Sequence, residues 1–223
     1  MKMMFAVTGL ALLAVSATAL ARGWDEDFTP RAPVVKQSGH YEWEWDGKDG
    51  LSLEAPVTLH YSPAGAPRIV ATGPDELLAH LEVGQGRIRV DRDWHYSGRD
   101  RVDVTVSGVT VHDIALSGSG RATLEKLNLD RLNLAVSGSG SVTGEGRSDS
   151  VNLAISGSGN ADLARLQNRS ANIHISGSGR VNLTPRDEAS LHVSGSGTVR
   201  MAARPAHLSQ QVSGSGGVRI DGN

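Results

Sequence analysis

The sequence has no cysteine. That excludes disulfide staples, thiol chemistry and a lipid anchor on a Cys. Aromatic residues make up only 4% of the 223 residues, and none follows Tyr96. The chain therefore divides into an aromatic-containing first part and a ringless second part. Neither sign of charge dominates: 22 Lys and Arg face 24 Asp and Glu, a net charge of −2. That balance excludes a chain drawn to nucleic acid by bulk charge. Long apolar runs are absent after the first 21 residues, so no later segment crosses a bilayer as a helix.

The first 21 residues, "MKMMFAVTGLALLAVSATALA", hold one Lys, an apolar run and small residues before Arg22. "ALA", Ala19 to Ala21, fits the small-x-small cleavage pattern. We read 1–21 as a signal peptide and Arg22 as the mature start. The apolar run is short for a retained span. Loss of Lys2 leaves the mature chain at −3. A periplasmic or extracellular protein with no integral membrane segment is expected.

Residues 22–37 carry Pro30, Pro33 and mixed charge, and read as a loose lead-in. Residues 38–100 read as an aromatic-containing, β-rich region. In "GHYEWEWDG", Tyr41, Trp43 and Trp45 alternate with Glu42 and Glu44, a strand signature. "PDELLAHLEV" fits one short helix beginning at Pro74, with Asp75 and Glu76 in its first turn.

What the second part does have is glycine, at regular intervals. "SGSG" starts at Ser117, Ser137, Ser156, Ser176, Ser194 and Ser213, in steps of 20, 19, 20, 18 and 19. Apolar residues at period two flank it, as in "NLAVSGSGSV". "VTVSGVTV", Val104 to Val111, resembles a degenerate first copy. A flexible linker keeps no such period. Twelve motif glycines inside regular elements would cost on the order of 6–12 kcal/mol, comparable with the roughly 5–15 kcal/mol stability of a whole domain. They must stand where Ala clashes or needs a disfavoured backbone angle.

A period near 19 without helical patterning predicts an all-β fold. Residues 101–223 are expected to form a parallel β-solenoid of six or seven coils of about 19 residues. Its structural corners would be Gly118 and Gly120, Gly138 and Gly140, Gly157 and Gly159, Gly177 and Gly179, Gly195 and Gly197, and Gly214 and Gly216. If alternation runs through the motif, Leu134, Val136, Gly138, Gly140 and Val142 all face inward. Four residues before each motif stand Asp113, Asn133, Asn152, Asn172, Ser190 and Ser209, a column of short polar residues suited to a hydrogen-bonded ladder.

Candidate sites are few. Six equivalent Ser residues argue against a nucleophile elbow, because an active site needs a unique Ser with His and acid partners. No helix follows the glycines to cradle a phosphate. We expect no catalytic residues, no enzyme activity and no cofactor. His174 and His192 occupy the same position in adjacent coils, about 5 Å apart if stacked. They are a candidate metal pair, although a closed site wants about four ligands. Tyr41, Trp43 and Trp45 are a candidate aromatic platform for a sugar or peptide, or else core.

"SLEAPVTLHYSPAGAPRIVATGPDELLAHLEVGQGRIRVD" followed by "VDVTVSGVTVHDIALSGSGRATLEKLNLDRLNLAVSGSGSVTGEG" resembles the head GIN domain family. That family is described as heads of auto-transporter adhesins. The resemblance spans about residues 38–220. It implies β-solenoid character in an exported bacterial protein, and carries over no catalytic residue. The function expected is a non-enzymatic envelope protein, structural or binding and adhesin-like. The alternatives are a carbohydrate-active β-helix enzyme and a metal or ligand carrier using the His pair. Expected partners are an envelope protein, a glycan or a second copy docked on the C-terminal coil, and not nucleic acid. The chain stops at "GGVRIDGN" with no membrane barrel after it, so self-export is not expected.

Overall fold

The computed structural model describes residues 28–47, 49–91 and 101–222. The expected signal peptide, Trp24, Trp94 and Tyr96 lie outside these. Among the described residues, seventeen strands form one continuous sheet wound into a solenoid, with one short helix. The coils are parallel and number about five, fewer than the six or seven expected.

The burial pattern of one coil explains its shape. In β10 (Arg121–Gly138), Ala122, Leu124, Leu127, Leu129, Leu132, Leu134 and Val136 are buried. Their alternation with polar residues slips at Glu125–Lys126, at Asp130–Arg131 and at the motif. Each slip turns the chain, so the coil has three faces. Face one precedes the motif, face two follows it, and face three closes the triangle. β11 (Ser141–Gly157) and β12 (Asn160–Gly177) repeat the path, in register with β10 from Asn133↔Asn152↔Asn172 through Gly138↔Gly157↔Gly177. β13 (Arg180–Asn182), β14 (Pro185–Gly195), β15 (Thr198–Met201), β16 (His207–Ser213) and β17 (Gly217–Ile220) complete the stack.

The stack also extends the other way, into the first part of the chain. β3 (Gly50–Glu54) pairs parallel with β9 (Asp113–Gly118) on face one, setting Leu51 beside Ile114 and Leu53 beside Leu116. β4 (Thr58–Ser62) pairs parallel with β10 on face two. "LSLEAPVTL" is thus an earlier coil whose corner is "EAP", and coil structure begins at residue 50 rather than 101. The expected degenerate copy belongs elsewhere. β8 (Asp103–Ser107) lies on face two between β4 and β5 (Arg68–Thr72), out of column with the motifs.

Antiparallel strands close this end. On face two, β5 continues to β2 (His40–Glu44) and β1 (Val35–Gln37); on face one, β7 (Arg87–Val90) continues to β6 (Leu81–Gly84). Helix α1 (Asp75–Ala79) follows Pro74 and buries Leu77 and Leu78. The Asp75 carboxylate accepts hydrogen bonds from the Ser38 hydroxyl and the Gly39 N–H, both at 2.6 Å. One hydrophobic cluster runs from Tyr41 and Trp43 to Val199 and Met201, so cap and coils share a core.

The motif geometry departs from simple alternation. The second glycine of each pair does face inward; a Cβ on Gly159 would lie 2.6 Å from the Val136 side chain. The first does not. Gly157 has φ +113°, and a Cβ there would meet the Gly138 carbonyl oxygen at 2.7 Å. Gly138 is itself exposed, with φ +101°, so it does not line the interior. The corner needs left-handed backbone at the first glycine and missing volume at the second.

Candidate functional site

The sequence-derived candidates fall into place first. Tyr41 and Trp43 are 6% and 3% exposed, so they are core and present no free ring to a sugar. Trp43 is covered by the lead-in. Residues 28–34 are a strap rather than a loose segment. The Arg31 N–H donates to the Val83 carbonyl at 2.8 Å, and the Arg31 carbonyl accepts the Trp43 indole N–H at 3.0 Å. Phe28 sits under the Arg89 guanidinium at 3.9 Å. Trp45 is half-buried against the same core.

His174 and His192 do stack, with centroids 4.7 Å apart and planes 5° from parallel. Both are half-buried. Desolvation, and then the neighbouring His192, hold the His174 pKa below its ordinary value. Ring nitrogens bind metals in the ring plane, so parallel rings aim their lone pairs side by side, not at one ion. Among the described residues, no group of three or more His, Cys, Asp or Glu is placed to hold a metal. The polar column forms hydrogen bonds where it is best filled: Asn133 Nδ2 donates to Asp113 at 2.5 Å, and Asn152 Nδ2 to Asn133 at 2.8 Å.

A different feature emerges on face three. The coil between Ser176 and Ser194 is 18 residues long, against 20 for the coil before it. Its chain leaves the sheet between β13 and β14, where Pro185 follows Thr184. Beside this break lies a cavity of about 390 Å³, lined by Arg147, Asp149, Arg169, Arg186 and Arg204 among others. Its lining also includes Ser148 and Asn168, which are buried.

The charges of this cleft are ordered. Arg147 pairs with Asp149 at 3.0 Å. Arg169 pairs with Asp187 at 3.0 Å, and Arg186 approaches Asp187 at 3.6 Å. The hydrogen bond from Arg169 holds the Asp187 carboxyl below the usual carboxylate range, and the same bond raises the Arg169 pKa. Four guanidiniums thus face two carboxylates. A sequence signal existed. Arg147, Arg186 and Arg204 each stand ten residues after a motif Ser, and Arg169 thirteen after its own. Changing coil lengths obscure the column.

A family model described as "Putative auto-transporter adhesin, head GIN domain" matches residues 49–205. The chain belongs to the head GIN domain family. The match begins where the "EAP" coil begins and ends before β16, so it takes in the inner strands of the cap and the coils through β15. A crystal structure described as a putative adhesin from Bacteroides fragilis aligns with a TM-score of 0.65 at 18% identity, covering 81% of this chain and 95% of that one. One described as a putative lipid binding protein from Parabacteroides distasonis aligns at 0.48 and 17%, with the same coverage. At 18% identity the likeness to the Bacteroides fragilis structure is one of fold. A comparison with curated proteins gives no match. No helix among the described residues is long and apolar enough to cross a membrane.

Proposed function

We propose that this GIN domain protein is exported and works in the bacterial envelope as a non-enzymatic, adhesin-like binding module. The targeting pattern before Arg22 and the family support export. The observation that carries the binding reading is the chemistry of the cleft. Proton transfer near neutral pH needs an acid or base tuned toward 7. Here both shifts run the other way, with Asp187 lowered and Arg169 raised. A glycosidase wants one of two carboxyl groups raised. Fixed ions of this kind hold a partner rather than move protons.

The test is capture without turnover. Mature protein is passed over a glycan panel and a native envelope extract, and the bound glycan is assayed for new reducing ends. Retention with no new ends is expected. New reducing ends, or no retention of anything, would overturn the reading.

A second reading, self-association, has its own support. β16 and β17 each pair only with the preceding coil among the described residues. Val212 is 40% exposed on this edge, and unpaired strand edges invite strand addition. Light scattering on the mature chain and on a version ending at Gln211 tests it. A concentration-dependent dimer lost on truncation is expected; a monomer throughout refutes it.

A further inference from the structure

Resting on that binding reading, we propose that the arginine cleft takes an acidic polysaccharide, with its carboxylate-bearing sugars laid along the solenoid axis. The charge supports it. Asp149 holds Arg147, while Asp187 is shared between Arg169 and Arg186. Among the described residues no carboxylate pairs with Arg204. Guanidinium donors are therefore in excess, and they suit carboxylates in a two-pronged fork. The side chains of Arg147, Arg169 and Arg186 are 61%, 60% and 78% exposed, so a solute reaches them without a conformational change.

The spacing favours a chain over a single anion. The four arginines sit on four successive coils. At a coil rise of about 4.8 Å, the first and last backbones are roughly 14 Å apart. One small anion spans at most two of them, whereas a polymer with one charge per sugar meets them in turn. The cavity of about 390 Å³ lies in the lower part of the roughly 300–1,000 Å³ range of small-ligand pockets. It lodges a short segment while the rest of the polymer follows the wall.

Other partners fit less well. No aromatic residue follows Tyr96, so bases would find no aromatic platform there. No Leu, Ile, Val, Met or aromatic side chain lines the cleft, and an acyl chain laid there would cover charged guanidiniums without pairing them.

Titration calorimetry on the mature chain decides the matter, with polygalacturonate as the carboxylate polymer and dextran as the neutral one. Inorganic phosphate and a single-stranded oligonucleotide serve as competitors. Polygalacturonate should bind, weaken as salt rises from about 0.05 to 0.2 M, and outcompete both anions. The double variant Arg186→Gln, Arg204→Gln should weaken it about tenfold or more with an unchanged melting temperature. Dextran should not bind. Equal binding by variant and wild type would overturn the cleft assignment, as would phosphate or oligonucleotide competing on equal terms. If envelope extract is still captured while polygalacturonate is not, this inference falls and the binding-module reading stands.

Discussion

Gly118 and Gly157 occupy the same corner position in different coils, and they differ in one respect. Both have positive φ, +84° and +113°. A Cβ on Gly118 would meet nothing within 4 Å, whereas one on Gly157 would meet the Gly138 carbonyl oxygen at 2.7 Å. That oxygen already accepts the Ser158 N–H at 2.8 Å. Gly118→Ala therefore reports the backbone angle alone, about 1–2 kcal/mol. Gly157→Ala adds overpacking against backbone, about 1–3 kcal/mol, and strains a coil-to-coil hydrogen bond. We expect Gly157→Ala to be worse by about 2 kcal/mol, a further drop in melting temperature of roughly 4–8 °C for a chain of this size. Ser158→Ala, on the exposed side of the turn, should stay within about 0.5 kcal/mol of wild type. The assay is thermal and guanidinium unfolding by far-UV circular dichroism. Equal losses at Gly118 and Gly157 would refute the idea that coil spacing demands glycine here.

Four further outcomes are expected. The His174 pKa is lowered in the fold, so the unfolded chain binds more protons as pH drops below about 6.5, and stability should fall with it; His174→Gln should flatten that slope in melts between pH 7 and 5. Asp187→Asn removes the carboxylate shared by Arg169 and Arg186 and should tighten polygalacturonate binding in calorimetry; weaker binding would contradict the charge argument. A chain starting at Val35 loses the strap over Trp43, so its tryptophan emission should shift to the red; an unchanged spectrum would mean the strap does not shield the ring. Mass spectrometry of protein from its native host should find an N-terminus at or near Arg22; an intact Met1 in the membrane fraction would count against export.

The coil was legible because its signal is one of repetition. A constant Ser-Gly-Ser-Gly with period-two apolar flanks leaves little besides stacked β-coils, and the Asp113–Asn133–Asn152 ladder followed from the same register. What lacked a repeating signature was harder to place. The "EAP" corner has no glycine pair, so nothing in the sequence separates its coil from the N-terminal region. Gly138 departs from the inward column because alternation says nothing about the sign of φ. For Tyr41 and Trp43 the alternation leaves platform and core both open, because the strap that covers Trp43 meets it through the Arg31 carbonyl. A segment with two prolines and mixed charge gives no pattern for that. The arginine cleft draws on coils of unequal length, so its arginines do not all share one offset from the motif and form no single column when the repeats are aligned.

The central claim is that the cleft holds an acidic glycan and leaves it intact. The most direct measurement is calorimetry of polygalacturonate binding to the wild type and to the Arg186→Gln, Arg204→Gln variant, followed by a reducing-end assay of the recovered polymer. Saturable, salt-sensitive binding that the variant weakens about tenfold or more is expected, with no new ends. Binding that the variant retains, or a polymer returned in pieces, would contradict it.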